Sequence, residues 1–159
     1  MAAVAVSRIQ RFKALQDILS AAGEVQGEKQ DDVTSAARVP EAALAGLAAL
    51  LPDSVVQQAL HIVDAGSIAC VQSRRGRRMY EVRGKRFKHI VLPHGAYCSC
   101  PYFSRRVLEA GELCCKHWLA VQLATRCGAG ITSSSTLGED EFLEWSQQSF
   151  TALSGPTWC

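Results

Sequence analysis

The spacing of apolar residues changes once along the chain, near Ser67. Before that point, apolar positions recur at intervals of three and four residues, which is the periodicity of a helix with one buried face. The first such stripe ends near Gly23 and consists of Ile9, Phe12, Leu15, Ile18 and Leu19. The polar stretch 23–36 then predicts a flexible connection.

Two more helices are predicted in this first part of the chain. Pro40 suits the first turn of a helix and opens the second one, which continues through Leu51. Asp53 or Ser54 is expected to cap the third helix by accepting hydrogen bonds from its free backbone amides. Gly66 ends that helix.

From residue 67 onward, apolar and polar residues alternate, as they do in strands. The alternation predicts strands at 68–72, 77–83, 87–92 and 97–100, with turns at Gly76 and Gly84. Helical spacing returns at 102–110, 115–125 and 140–150, and the stretches 128–130 and 133–135 predict a linker. The sequence therefore predicts an α+β fold in which N-terminal helices precede a small antiparallel β-sheet and a C-terminal helix.

Four segments follow from these boundaries. We expect an N-terminal helix with a flexible connection at 1–38, a helical segment at 39–66, a sheet-and-helix domain at 67–127, and a linker with a terminal helix at 128–159. With 159 residues and 48% hydrophobic content, the chain has material for one modest core. No apolar run is long enough to span a bilayer, so no membrane partner is expected.

Two closely spaced pairs of soft ligands stand out in the second half of the chain. Cys98 and Cys100 are two apart in a predicted strand, so both side chains point to one face. In the interior of a helix, the side chains of Cys115 and His117 would point to nearly opposite sides, because the two residues are two positions apart. Cys115 must therefore lie at the helix start and His117 in the first turn. Four protein ligands satisfy a closed, structural zinc site that clips this helix to the sheet. Cations placed to offset the charge of three thiolates are Arg105, Arg106 and Lys116.

Other interpretations of these residues compete with zinc. Disulfides would leave one of the seven cysteines unpaired, and no signal peptide is evident. A thiol nucleophile paired with His117 would leave Cys98 and Cys100 unexplained. His94 is a possible replacement ligand, and spacing alone does not separate Cys114 from Cys115, because Cys114 also shares a helical face with His117. Inert buried thiols are expected at Cys70, Cys114 and Cys127.

Charge is unevenly distributed although the formal net charge is only +2. Eight of the seventeen basic residues fall between positions 74 and 88, and several acids fall between 139 and 144. A basic hairpin can bind phosphates without sequence preference. Candidate nucleic-acid contacts, to single-stranded or non-specific DNA, are Arg74, Arg75, Arg77 and Arg78.

The pattern Cys-x-Cys, a spacer, then Cys-x-His resembles the SWIM-type zinc finger. The likeness runs from about Val39 to Arg126 and favours Cys115 over Cys114 as the ligand. It rests on the stretches 59–64 (ALHIVD), 76–82 (GRRMYEV), 97–101 (YCSCP) and 113–121 (LCCKHWLAV), which are similar to the small SWIM-domain subunit of the Shu-type recombination complex.

The resemblance implies one structural zinc ion, bound by Cys98, Cys100, Cys115 and His117, in a SWIM zinc-finger domain at 67–127. It also implies a nuclear, non-enzymatic subunit that pairs with a RecA-like recombinase paralogue and supports recombinase filaments in homologous recombination repair. No small-molecule substrate is expected, since the sequence has no glycine-rich phosphate loop. Candidate apolar anchors for the partner are Leu44, Leu47 and Leu51.

Two alternatives stay open at the level of the sequence. One is a SWIM finger that binds DNA directly through the basic hairpin. The other is a fragment of a ubiquitin-ligase accessory protein or of a transposase, since similar fingers occur in such proteins. The chain shows neither a second, RING-type ligand set nor a carboxylate cluster typical of a nuclease.

Overall fold

The computed structural model describes residues 7–24 and 39–153. Within these ranges the chain forms five α-helices, five strands and one π-helical segment. The helices are α1 (Arg8–Glu24), α2 (Glu41–Leu50), α3 (Asp53–Asp64), α4 (Lys116–Cys127) and α5 (Glu139–Leu153), and the π-helical segment is Phe103–Glu109. The strands are β1 (Ile68–Ser73), β2 (Arg78–Arg83), β3 (Lys88–Leu92), β4 (Tyr97–Cys98) and β5 (Ile131–Leu137).

All five strands form one sheet in the order β4-β3-β2-β1-β5. Each of the strands β1 to β4 pairs antiparallel with the next one along the chain, so the predicted α+β class and the antiparallel meander are confirmed. Strand β5 differs, because it pairs parallel to β1. The sheet is therefore mixed rather than purely antiparallel.

Helices cover both faces of the sheet. On the front face, side chains such as Ile68, Val82 and Val91 share one core with α1, α3 and α4. On the back face, Val71 and Ile90 pack with residues of α5. This alternation follows from the period of two in a strand, which sends successive side chains to opposite faces. Among the described helices, none is long and apolar enough to cross a membrane.

The interpretation of residues 133–135 as part of a linker is wrong, because they lie in β5, whereas residues 128–130 do connect α4 to β5. Its serines and threonines are exposed, and only Ile131 and Leu137 at its ends are partly buried. Backbone hydrogen bonds to β1 stabilise this edge strand. Because these bonds do not depend on side chains, the sequence of β5 shows no alternation of apolar and polar residues. Gly130 enables the turn, since it has φ +82° and a Cβ there would lie 2.7 Å from the carbonyl oxygen of Val63.

Two details of the helical part also differ from expectation. Neither Asp53 nor Ser54 caps α3; instead the carbonyl of Pro52 accepts hydrogen bonds from the amides of Val55 and Val56. The predicted helix at 102–110 forms as the π-helical segment. The polar connection predicted at 23–36 lies, from residue 25 onward, outside the described residues.

Two of the three leucines expected to anchor a partner belong to the core. Leu47 and Leu51 are buried in the core on the front face of the sheet, and Leu44 is partly buried. Leu47 and Leu51 therefore offer no free apolar surface to a partner, whereas Leu44 stays a prediction. The four-segment division of the chain stays a prediction, although residues from the first three segments contribute to the front core.

Candidate metal centre

Strand pairing fixes the direction of the first two cysteines. Cys98 ends β4 opposite Val91 of β3. The next residue, Ser99, donates its amide to the carbonyl of Ile90 at 3.0 Å, and its hydroxyl accepts the Ile90 amide at 2.9 Å. With Ser99 held to one side, Cys98 and Cys100 point to the other.

The second pair lies at the start of α4. Cys115 is the N-cap residue, with extended φ and ψ of −98° and 165°, and His117 is in the first turn. This is where the spacing of the two residues places them. Helix α4 lies between the sheet and helices α1 and α3, so its first turn cannot move without disturbing the front core.

The structure brings the four predicted side chains together. One ligand atom from each of Cys98, Cys100, Cys115 and His117 lies within 4.8 Å of the others, and all four residues are buried. The sulfur of Cys98 is 3.8 Å from Nδ1 of His117. Bonds of about 2.3 Å to sulfur and 2.0 Å to nitrogen in a tetrahedron put such atoms about 3.6 Å apart. The cluster therefore fits a tetrahedral divalent ion.

Backbone amides support the sulfurs. The amide of Phe103 donates to the sulfur of Cys100 at 3.3 Å, and that of Trp118 donates to the sulfur of Cys115 at 3.5 Å. Hydrogen bonds of this kind stabilise negative charge on a thiolate. Each comes from the residue three positions after the cysteine, so the local turn orients the ligand.

The three thiols also act on one another. Hydrogen bonds from Cys115 and Cys98 lower the pKa of Cys100, whereas hydrogen bonding to Cys100 and Cys115 raises the pKa of Cys98. The pKa of Cys115 is raised to about 12, mainly through Cys100. Removing all three protons thus requires a compensating positive charge, which a divalent metal ion supplies.

The remaining candidates lie elsewhere. Cys114 is buried in the front core, and burial raises the pKa of its thiol. His94 is exposed in the turn between β3 and β4, outside the cluster. Every cysteine among the described residues is free, so no disulfide competes for the sulfurs there.

Two of the cations expected to offset the charge of the thiolates have other partners. Lys116 donates to the side-chain oxygen of Gln58 at 2.6 Å, and Arg106 forms an ion pair with Glu112. Arg105 is exposed. Among the described residues, the amides of Phe103 and Trp118 are thus the donors that the structure shows on the sulfurs of Cys100 and Cys115.

His89 is the neighbour that sequence reasoning missed. Its ring centroid lies 4.3 Å from that of His117, and its Nδ1 is buried without a hydrogen-bond partner among the described residues. Burial, and then the charge of His117, lower the pKa of His89 to about 4, so the ring is neutral near pH 7. It adds packing to the site but no charge.

The register of β3 against β4 places His89 beside the cluster. The register pairs Val91 with Cys98, and residues two apart in a strand share a face. His89 therefore faces the same side of the sheet as Cys98. Assigning the β3–β4 register before choosing site residues identifies it.

The four arginines predicted to contact nucleic acid differ in their surroundings. Arg77 pairs with Glu139 and lies over the ring of Phe142, 5.2 Å from its centroid. Arg78 donates to Gln72 at 3.1 Å. Arg74 and Arg75 are exposed like the other two, and the backbone amide of Arg75 donates to Glu139 at 3.0 Å. Arg77 thus holds α5 to the sheet, and DNA contact by this group stays a prediction.

The relatives found by comparison with known proteins all carry the same name. The chain is 39% identical over 103 residues to zinc finger SWIM domain-containing protein 7 of Mus musculus, covering 64% of this chain and 67% of the relative. It is 40% identical over 103 residues to the Homo sapiens protein of the same name, covering 64% and 73%. No family model and no solved structure matches. With two relatives at this identity and coverage, and a Cys3His cluster in the SWIM arrangement, the chain belongs to the family of zinc finger SWIM domain-containing protein 7.

Proposed function

We propose that the cluster binds one zinc ion and that this ion is structural. The support is the donor set itself, in which three sulfurs and one imidazole nitrogen lie within 4.8 Å of one another in a buried site. Four protein ligands complete a tetrahedron and leave no position for a substrate. The ion joins β4 to α4 across the loop that contains the π-helical segment.

Elemental analysis tests this assignment. We expect the purified full chain to contain one zinc per molecule, and the double variant Cys98→Ala, Cys100→Ala to contain none, because two ligands are too few for a structural site. His94→Ala is the control and should keep its zinc, since His94 lies outside the cluster. Full zinc retention by the double variant would show that the ion binds elsewhere.

We further propose that the protein is a nuclear, non-enzymatic adaptor that pairs with a RecA-like recombinase paralogue in homologous recombination. Support for this role is the resemblance to the Shu-type SWIM subunit and membership of the same SWIM family. In this role the zinc holds the finger in shape, and the partner provides nucleotide binding. This role requires a free surface on which the partner can dock.

Two exposed apolar side chains mark a candidate surface. Ile9 of α1 is 81% exposed and Leu108 of the π-helical segment is 61% exposed. Arg8 joins these two elements, because its guanidinium donates to the carbonyls of Val107 and Glu112 at 2.8 and 3.2 Å. Apolar anchors at the centre of an interface contribute most of its binding free energy.

Affinity purification of the tagged full chain from cells tests the adaptor role. We expect a RecA-like ATP-binding protein to co-purify with the wild-type chain, and to be lost with Ile9→Glu, Leu108→Glu, because buried charge opposes docking. Arg74→Glu, Arg75→Glu, Arg78→Glu should keep partner affinity within about tenfold, or 1.4 kcal/mol, since rim charges contribute little. This variant spares Arg77, which pairs with Glu139.

The outcomes distinguish an apolar partner interface from a basic one. If the arginine variant folds, keeps zinc and loses the partner, the turn between β1 and β2 that carries these arginines is the interface, and the surface around Ile9 and Leu108 is not. If no RecA-like protein co-purifies with the wild-type chain under any condition that preserves zinc, the adaptor role is wrong.

A further inference from the structure

The turn between β2 and β3 carries four basic residues within positions 83–88. Arg83 and Lys88 form the last strand pair, and the amide of Gly84 donates to the carbonyl of Phe87 at 2.9 Å. Lys85 and Arg86 therefore form the tip of a tight hairpin. Both are exposed.

Phe87 stands beside this tip with its side chain 71% exposed. It belongs to neither core cluster of the described residues, whereas the next apolar residues along the chain, Ile90 and Val91 of β3, are buried. Its ring therefore lies free beside two exposed cations, and an aromatic ring combined with cationic side chains is the arrangement with which proteins bind single-stranded nucleic acid.

A carboxylate on β2 holds two of the four cations around the ring in place. Glu81 is largely buried, and its carboxylate accepts from Arg83 at 3.1 Å and from Lys88 at 3.2 Å. Lys85 and Arg86, by contrast, pair with no acid in the part of the chain that the structure describes. Two cations are thus anchored at the hairpin base, and two are available at its tip.

We propose that this hairpin tip, residues 83–88, binds single-stranded nucleic acid, with Phe87 stacked on a base and Lys85 and Arg86 on phosphates. Stacking on an aromatic ring requires a base that is not enclosed in a duplex, and it tolerates any base because each has a π-face. An acidic protein segment satisfies the cations but gives the ring no flat partner. The inference rests on the proposed role in recombination only for its biological setting, because the binding itself needs no recombinase.

Fluorescence anisotropy with the full zinc-loaded chain tests the proposal. The probe is an oligothymidylate of about 16 nucleotides, and an abasic strand of equal length serves as its comparison. We expect Phe87→Ala to weaken oligothymidylate binding roughly five- to a hundredfold, the range of one base–aromatic contact. Leu143→Ala, which removes another exposed apolar side chain on α5, should have no effect.

Salt dependence separates the two kinds of contact. The double variant Lys85→Ala, Arg86→Ala should reduce the slope of log affinity against log salt by about 1.4, because each single-strand phosphate contact contributes about 0.7. Phe87→Ala should leave that slope unchanged, and its loss of affinity should be absent with the abasic strand.

Three results overturn the proposal: no measurable binding of oligothymidylate by the wild-type chain, equal affinities of Phe87→Ala and Leu143→Ala, or equal binding of the abasic strand by wild-type protein. Co-purification of the RecA-like protein with Phe87→Ala is measured in parallel. If Phe87→Ala loses that protein and keeps oligothymidylate affinity, the hairpin is a protein interface and the nucleic-acid proposal is wrong, while the adaptor role stands.

Discussion

Replacing Cys115 by serine is expected to abolish zinc binding, whereas the same replacement at the adjacent Cys114 should leave the zinc in place. The sulfur of Cys115 lies in the four-residue cluster and accepts the amide of Trp118. The Cys114 side chain is buried in the front core instead. A serine hydroxyl is a poor zinc ligand, so one replacement removes a ligand and the other changes only packing.

The difference in stability between the two variants should be large. Apparent binding free energies of structural zinc are about 10–16 kcal/mol, and they contribute directly to folding. A buried hydroxyl without a partner costs about 1–3 kcal/mol, which is the cost expected for Cys114→Ser. Zinc content and thermal unfolding, measured on both variants, provide the comparison. Loss of zinc from Cys114→Ser, with retention by Cys115→Ser, would place the ligand one residue earlier.

Short-range spacing explains why the ligand set was predictable. Residues that are two positions apart in a strand lie on the same face of the sheet. A residue at the start of a helix can likewise face the same point as a residue in the first turn of that helix. Both relations depend only on local backbone geometry. The choice between Cys114 and Cys115, in contrast, came from the family resemblance, because both positions are compatible with the spacing.

Long-range pairing explains what was missed. Nothing in the sequence of β5 shows that it lies beside β1, since its exposed serines follow no apolar period and its backbone is fixed by the partner strand. The contact between the rings of His89 and His117 likewise depends on the register of β3 against β4. Contacts of this kind join residues distant in the chain, so patterns of single segments do not contain them.

Helix α5 illustrates a third case, in which the element was predicted but not its place. Its apolar residues indicated a helix, and the structure packs Phe142 on the back face of the sheet. Arg77 pairs with Glu139 at the start of α5, so a basic residue assigned to nucleic acid has an intramolecular role. Charge clusters in a sequence therefore need the partner element before a function is assigned.

Zinc removal by a chelator is expected to loosen the loop between β4 and α4 far more than helix α2. The loop contains the π-helical segment, and its ends carry the ligands Cys98, Cys100 and Cys115. The amides of Phe103 and Trp118 donate to two of the ligand sulfurs. When the ion leaves, these sulfurs take up protons and become weaker acceptors. Helix α2 packs on α1 and α3 and contains none of the four ligands.

Hydrogen exchange followed by mass spectrometry, with and without chelator, measures this difference. We expect protection in the peptides covering 97–118 to fall at least about tenfold more than in those covering 41–50, corresponding to about 1.4 kcal/mol of local opening free energy. His94→Ala protein should respond as wild type does, because that residue is not a ligand. Equal loss of protection in both regions would mean that zinc stabilises the whole front core as one cooperative unit. In that case the ion acts through α4, which packs against α1 and α3, rather than by closing the loop alone.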